Sequence, residues 1–143
     1  GSESAELTKK GLQRMLFGNP DSEADIGTGM IPGDCIVGKP TTSQGVPGGI
    51  DTVMVQHKSG GNSMLQFKAY DQGRRTFQGT QKDLVWVDEE PPIEVYEEAL
   101  LRLTSTVPGE DDGLMIATFT PLLGLSKVAL KFLPDLAPVE TKA

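Results

Sequence analysis

A short apolar run that ends in carboxylates and two prolines constrains the fold of this chain more than any other feature. Residues 84–92 read LVWVDEEPP, so apolar residues lead directly into Asp88, Glu89 and Glu90. An apolar run of about four to eight residues beside a turn signal is typical of a buried strand. The prolines end that strand and can open a helix. The segment therefore predicts a strand that delivers several acidic side chains to its carboxyl end.

Strands and helices alternate from this point onward. Residues 93–103 carry apolar side chains at helical spacing, residues 114–120 form a second apolar strand, and residues 121–133 include a further helix. Apolar strands that alternate with helices indicate a parallel sheet with both faces covered. We therefore predict an α/β core, with Trp86 packed inside it.

The first half of the chain has weaker patterns. Residues 5–16 suit a short amphipathic helix. Residues 51–70 alternate between apolar and polar on both sides of SGGN, which predicts a β-hairpin. Many Gly, Pro, Ser and Thr residues lie between them, so we expect an irregular segment with one short strand at 35–37. The expected organisation is a tag remnant at 1–2, an irregular segment with a short helix at 3–50, an α/β core at 51–134 and a flexible tail at 135–143.

Charge, cysteine content and hydropathy exclude several classes of protein. The net charge of −7 argues against a surface built mainly to grip phosphate backbones, although it leaves room for a local basic patch. The single cysteine, Cys35, excludes an internal disulfide and suits a reducing compartment. No apolar run approaches the roughly 18 residues of a membrane-spanning helix, so we expect no membrane partner.

The apolar run into Asp88-Glu89 has the form of a Walker B motif. In that motif the aspartate serves Mg²⁺ and the glutamate polarises the water that attacks a nucleoside triphosphate. Adjacent strand residues point to opposite sides, which lets the two carboxylates take different roles. Strands also end in acidic residues simply because the following loop is solvated, and the pattern alone does not decide between these explanations.

A Walker B strand requires a phosphate-binding loop, and the nearest match fails. That loop has the pattern GxxxxGK followed by Ser or Thr, whereas residues 33–40 read GDCIVGKP. Pro40 has neither a hydroxyl for Mg²⁺ nor an N–H for a phosphate oxygen. The residues that follow do not predict the helix whose N-terminus would hold the phosphates. We therefore expect no phosphate loop in this chain.

The strand that follows the acidic one ends in hydroxyl side chains. Thr118 and Thr120 lie in the segment ATFTP. In a motor ATPase, small hydroxyl side chains beside Walker B can sense the γ-phosphate, but threonine is also simply a good strand former. Both explanations stay open at this point.

Together these segments resemble the ATPase domain of the large terminase subunits of tailed phages, the motors that pump DNA into the viral prohead. The resemblance rests on YDQGRRTFQGTQKDLVWVDEEPPIEVYEEALLRL and MIATFTPLLGLSKV, and it is best over residues 62–130. It implies a partial P-loop NTPase fold of the RecA/ASCE type. We therefore expect a parallel sheet with flanking helices, plus the β-hairpin at about 51–70.

The resemblance implies roles for the residues that match the family's motifs. Asp88 would hold Mg²⁺ through its water shell, and Glu89 would be the catalytic carboxylate. Thr118 and Thr120 would belong to the motif that couples hydrolysis to movement. Glu90 matches the family pattern without a role that the resemblance assigns.

The arginines near these motifs have two explanations each. Arg102 would either face a neighbouring subunit or pair with Glu98 one helical turn earlier, and we favour the pair. Arg74 and Arg75 would either contact phosphate or be solvated, and we favour solvation.

The resemblance also implies cofactors and partners. It implies ATP and Mg²⁺, double-stranded DNA, the small terminase subunit, the portal protein and a homo-oligomeric motor in the cytoplasm of the bacterial host. The family's phosphate loop and nuclease domain have no counterpart in this sequence, so we expect an internal part of the ATPase domain with little or no activity of its own. Two alternatives stay open: a non-catalytic nucleotide-binding, DNA-binding or assembly module of the same fold, and a metal-dependent nuclease using Asp88, Glu89 and Glu90.

Overall fold

The computed structural model describes residues 1–2, 4–122 and 124–133, so the predicted tail at 135–143 lies outside the described residues. Its helices are α1 (Ala5–Thr8), α2 (Arg14–Phe17), α3 (Ile93–Leu103) and α4 (Lys127–Phe132). Its strands are β1 (Ile36–Thr42), β2 (Ile50–Gln56), β3 (Asn62–Gln66), β4 (Leu84–Asp88) and β5 (Leu114–Thr118). Backbone contacts divide the chain into a first unit that ends at Gln72 and a second that begins at Gly73.

The first unit contains an antiparallel sheet in the order β1-β2-β3. The β2–β3 pair is the predicted hairpin, with Val53 opposite Leu65 and Gln56 opposite Asn62. Gly60 closes its turn with a φ of 88°, a backbone conformation that glycine adopts without steric cost. The hairpin prediction is therefore confirmed. Strand β1 extends well past the short strand expected at 35–37.

A helical segment packs on this sheet, as the amphipathic pattern predicts. Between α1 and α2 the chain passes through a π-helical turn at Lys9–Gln13. Phe17 at the end of α2 is fully buried with Ile50 and Val53, and its ring meets that of Phe67 edge-on at a centroid distance of 5.9 Å. These contacts form the apolar core of the first unit.

Two polar side chains of the π-helical turn point into the first unit instead of out to water. The Gln13 amide donates from Nε2 to the carbonyl of Ile50 at 2.7 Å, and its Oε1 accepts from the Ile50 N–H at 2.9 Å. The side chain of Lys9 is only 11% exposed, and its ammonium group pairs with the carboxylate of Asp21. Buried polar groups are tolerated only when they are paired, so the turn is held by specific bonds as well as by apolar contact.

The second unit contains a parallel pair of strands and two helices. Strands β4 and β5 run parallel, with Trp86 opposite Ile116 and Asp88 opposite Thr118. Helix α3 packs against both strands. It has the predicted bounds, and its first residue follows Pro92, whose carbonyl accepts the first helical hydrogen bonds. None of the helices in the described ranges has the length and apolar character needed to cross a membrane.

The predicted covering of both sheet faces is wrong for the described residues. Val87 is fully buried and Val95 of α3 is 1% exposed, so the α3 side is covered. On the other face Leu114 is 61% exposed and Ile116 is 42% exposed. The mixed α/β class and the parallel pairing are confirmed, while the partial P-loop fold stays a prediction.

We predict that Gln13→Ala lowers the free energy of unfolding by about 1–3 kcal/mol, because the N–H and carbonyl of Ile50 would stay buried without partners. Urea unfolding followed by circular dichroism measures the change. Gln44→Ala, an exposed glutamine of the same unit, is the matched control and should change stability by less than about 0.5 kcal/mol. Equal effects of the two substitutions would contradict the assignment.

Candidate functional site

The carboxyl ends of β4 and β5 bring three of the predicted site residues together. Asp88 is the last residue of β4 and is half-buried. Thr118, the last residue of β5, donates from its hydroxyl to Asp88 Oδ1 at 2.8 Å, and its carbonyl accepts from the N–H of Glu89 at 2.9 Å. Both acidic residues are therefore attached to the same threonine, one through its side chain and one through its backbone.

Trp86 takes part in this arrangement, contrary to its predicted packing inside the core. It is half-buried and lies on the same face of β4 as Asp88, because alternate strand residues share a face. Its indole Nε1–H donates to Thr118 Oγ1 at 2.8 Å. Val87, which points to the opposite face, fills the core position instead.

Glu89 has a strained backbone. Its φ of 67° lies in the left-handed region, and it is the sole residue other than glycine with a positive φ in the part of the chain that the structure describes. That region costs a residue with a side chain about 1–2 kcal/mol, and such strain concentrates at functional sites. The strained turn takes Glu89 off the line of β4 while its N–H stays bonded to β5.

Glu90 acquires a structural contact that the sequence did not indicate. Its carboxylate accepts from the hydroxyl of Ser126. Ser126 is the N-cap of α4, and its Oγ also accepts from the N–H of Ala129 at 3.0 Å. Glu90 therefore links the loop after the acidic strand to the start of the last described helix.

Thr120 lies beyond β5, which ends two residues earlier than the predicted strand. Its side chain is exposed and its carbonyl accepts from the N–H of Leu122. Phe119, between the two threonines, packs edge-on against Phe132 of α4 at 5.8 Å. Thr118 is therefore in the cluster and Thr120 is in the loop that leaves it.

Phe132 also contacts Tyr96 of α3 at a ring-centroid distance of 5.8 Å. Burial raises the pKa of the Tyr96 hydroxyl above its ordinary value of 10.0. The unfolded chain would lose this proton first, so the contribution of Tyr96 to stability is present at neutral pH and is lost as the pH rises above about 10.

A buried carboxylate that the sequence analysis did not single out as a site organises the arginines of the second unit. Glu98 is 2% exposed. Its Oε2 accepts from Arg74 Nε at 2.8 Å, and its Oε1 pairs with Arg102 at 3.1 Å. Arg102 also donates to the carbonyl of Gly79 at 2.8 Å.

The ion pairs of Glu98 bear on the two explanations that the sequence analysis gave for Arg102 and Arg74. The favoured pair of Arg102 with Glu98 is confirmed. Arg74 is exposed, as favoured, and its guanidinium also pairs with one oxygen of Glu98. The sequence signals for this cluster are the one-turn spacing of Glu98 and Arg102 and the position of Glu98 on the same stripe of α3 as Val95.

The described residues include Asp88, the predicted cation ligand, and form no phosphate cradle. Among them, no group of three or more His, Cys, Asp or Glu side chains is arranged to hold a metal. Gly33–Cys35 form a short 3-10 turn, and Lys39-Pro40 lie within the antiparallel strand β1. A phosphate loop instead joins a strand to a helix N-terminus. A single carboxylate such as Asp88 still fits Mg²⁺, which takes one or two carboxylates together with waters and substrate phosphates.

Comparison with known proteins gives a consistent result. A sequence model of the family described as "Terminase large subunit, T4likevirus-type, N-terminal" matches residues 1–142. The large terminase subunit of Salmonella phage P22 is 38% identical over 140 residues, which cover 94% of this chain and 27% of that protein. The chain thus spans about a quarter of the length of this curated relative. No solved structure matches significantly.

We predict that Glu89→Gly gives a protein about 1 kcal/mol more stable than Glu89→Ala, because both remove the carboxylate and only glycine removes the backbone strain. Urea unfolding of the two variants measures the difference. Glu97, exposed in the middle of α3, provides a control of opposite sign, since glycine there should be about 1 kcal/mol less stable than alanine. A Glu89 pair that behaves like the Glu97 pair would contradict the strained turn.

We predict that Glu98→Gln lowers the free energy of unfolding by about 1.5–3 kcal/mol, because two charge-assisted hydrogen bonds lose their acceptor charge. Arg74 and Arg102 reach solvent in part, which keeps the loss below that of a fully buried pair. Thermal and urea unfolding measure it against Glu97→Gln on the exposed side of the same helix, for which little change is expected. A Glu98→Gln protein as stable as the Glu97→Gln control would show that the cluster does not hold α3.

Proposed function

This chain belongs to the family described as "Terminase large subunit, T4likevirus-type, N-terminal". We therefore propose that it forms part of the ATP-hydrolysing motor that moves double-stranded DNA into the prohead. The observation that carries the proposal is the cluster at the ends of β4 and β5. Asp88 and Glu89 follow one another at the end of a parallel strand, and the neighbouring strand holds both through Thr118. Ligand sites of open α/β sheets lie just beyond the carboxyl ends of the strands.

Asp88 is the residue that would hold the cation. Its carboxylate is fixed by the Thr118 hydroxyl, and a fixed, half-buried carboxylate meets the preference of Mg²⁺ for few protein ligands. When bound with nucleotide, Mg²⁺ neutralises charge that develops on the phosphate oxygens. The part of Asp88 is to hold the cation at a defined point beyond β4.

Glu89 is the residue that would orient and deprotonate the attacking water. It follows Asp88 directly, yet its left-handed backbone directs it away from the strand. The two carboxylates are therefore separated in direction although they are adjacent in sequence. Such a separation suits two different roles, one toward the cation and one toward water.

Thr118 is the residue that would connect the nucleotide site to the rest of the second unit. Its hydroxyl donates to the Asp88 carboxylate, and its carbonyl accepts from the Glu89 N–H. Phe119 follows it and packs on α4. We extend the coupling role to Thr120 because it lies in the loop that joins these elements.

The wider assignment follows from the same proposal. The motor would use ATP and Mg²⁺, act on double-stranded DNA with the small terminase subunit and the portal protein, and work as a homo-oligomer in the host cytoplasm. Its phosphate loop would come from a part of the large subunit that is not in this sequence, which leaves this chain inactive by itself. A non-catalytic nucleotide-binding, DNA-binding or assembly module is the second candidate. It is favoured by the extended, antiparallel strand at residues 36–42, which overlaps the nearest sequence match to a phosphate loop.

We predict that Glu89→Gln, introduced into the terminase large subunit that carries this sequence, lowers kcat for ATP hydrolysis about 10²-fold to 10⁴-fold while ATP binding persists. Phosphate release with and without Mg²⁺ measures hydrolysis, and fluorescent nucleotide binding measures occupancy. Glu97→Gln is the control and should hydrolyse ATP at the parent rate.

Other results would favour other functions. ATP binding without phosphate release in the parent protein would favour the non-catalytic module. Cleavage of plasmid DNA in Mn²⁺ that is lost in Asp88→Asn would favour a nuclease. Hydrolysis at the wild-type rate in Glu89→Gln would show that Glu89 is not the catalytic carboxylate.

A further inference from the structure

Three side chains at the end of the parallel pair form a continuous chain of hydrogen bonds. The Trp86 indole lies 2.8 Å from Thr118 Oγ1, and the same oxygen lies 2.8 Å from Asp88 Oδ1. The proposed roles of Asp88 and Thr118 do not account for the tryptophan. Its indole is only half-buried, on the face of β4 that α3 does not cover.

The chemistry of these groups fixes the direction of both bonds. An indole N–H can only donate, and a threonine hydroxyl has one proton to give. Because Trp86 donates to Thr118 Oγ1, the hydroxyl proton must point to another acceptor. The nearest are Asp88 Oδ1 at 2.8 Å and the Val87 carbonyl at 3.4 Å. The shorter bond to a carboxylate is also the stronger one, so the proton lies on the Asp88 side.

We propose that Trp86 is a positioning residue for the cation-carrying Asp88. Its indole N–H holds the Thr118 hydroxyl in the orientation in which that hydroxyl donates to the carboxylate. This inference deepens the proposed function and rests on it for the role of Asp88. The hydrogen-bond chain itself can be tested independently of ATP hydrolysis.

The position of Trp86 explains why a large aromatic residue stands on an exposed sheet face. Phenylalanine or leucine would supply the same apolar contact at this position but no donor. Groups that hydrogen-bond to a metal-carrying side chain fix its orientation, and removing one typically weakens metal binding or activity about 10-fold to 100-fold. The indole acts one bond further out, through a hydroxyl that can otherwise rotate.

The first experiment tests the hydrogen bond in this chain by NMR. Trp86 is the only tryptophan of the sequence, so a ¹⁵N-labelled sample shows a single indole N–H signal. Thr118→Val should move this signal toward lower frequency and speed its exchange with water, whereas Thr118→Ser should restore both. Thr106→Val, at an exposed threonine of the same unit, is the control. An indole signal that is the same in Thr118→Val and in the wild type would overturn the proposal.

The second experiment tests the cation site with Mn²⁺ alone as the probe. Paramagnetic Mn²⁺ held at Asp88 should broaden the indole signal, and Asp88→Asn should abolish the broadening. Thr118→Val should need about 10-fold to 100-fold more Mn²⁺ for the same effect, and Thr118→Ser should return to the wild-type titration. Broadening that survives in Asp88→Asn, or that is unchanged in Thr118→Val, would overturn the proposal.

The third experiment separates positioning from catalysis in the whole terminase large subunit. Trp86→Phe should raise the Mg²⁺ concentration for half-maximal hydrolysis about 10-fold to 100-fold and approach wild-type kcat at saturating Mg²⁺. Glu89→Gln should instead lower kcat at every Mg²⁺ concentration. If Trp86→Phe does not fold, Trp86→Leu takes its place in the same assay. Wild-type Mg²⁺ dependence in the folded variant would overturn the positioning role.

The two proposals fail in different ways. If the large subunit does not hydrolyse ATP, the proposed motor function is wrong. If this chain still shows the expected NMR and Mn²⁺ results, the role of Trp86 is supported. Active hydrolysis with unchanged Mg²⁺ dependence in Trp86→Phe would support the motor function and remove that role.

Discussion

The parallel pairing of β4 with β5 is the constraint on which the candidate site depends. It sets Asp88 opposite Thr118, so that one residue of the second strand holds the carboxylate of Asp88 through its hydroxyl and the backbone N–H of Glu89 through its carbonyl. A shift of one residue along the pair would turn Thr118 to the other face of the sheet, because side chains alternate along a strand. The strand register therefore brings Asp88 and Glu89 into a hydrogen-bonded cluster with Thr118.

Strain and support occur next to each other in this cluster. Glu89 holds a left-handed backbone conformation that costs free energy, while its N–H is bonded to Thr118 and the neighbouring Glu90 is bonded to Ser126. Bonds on both sides of the turn compensate for its cost. The bond between Glu90 and Ser126 also connects this turn to the N-cap of α4.

The mixed α/β class and most elements of the second unit could be predicted from local patterns. Apolar periodicity indicated β4 and α3, and the double proline between them marked where the strand stops and the helix begins. The covering of the sheet could not be predicted in this way. Leu114 and Ile116 on one face of β5, with Met115 and Ala117 on the other, indicate a strand with two apolar faces. Periodicity does not say whether both faces have a partner.

The sequence by itself determined that Asp88 and Glu89 stand at the end of a strand, because an apolar run, two carboxylates and two prolines allow little else. Only the tertiary structure decided that Trp86 bonds to Thr118 and that Arg74 bonds to Glu98. Each of those bonds joins residues more than twenty positions apart. Local patterns report on neighbours along the chain, whereas the direction of a hydrogen bond depends on which side chains the strand register and helix packing bring within about 3 Å of one another.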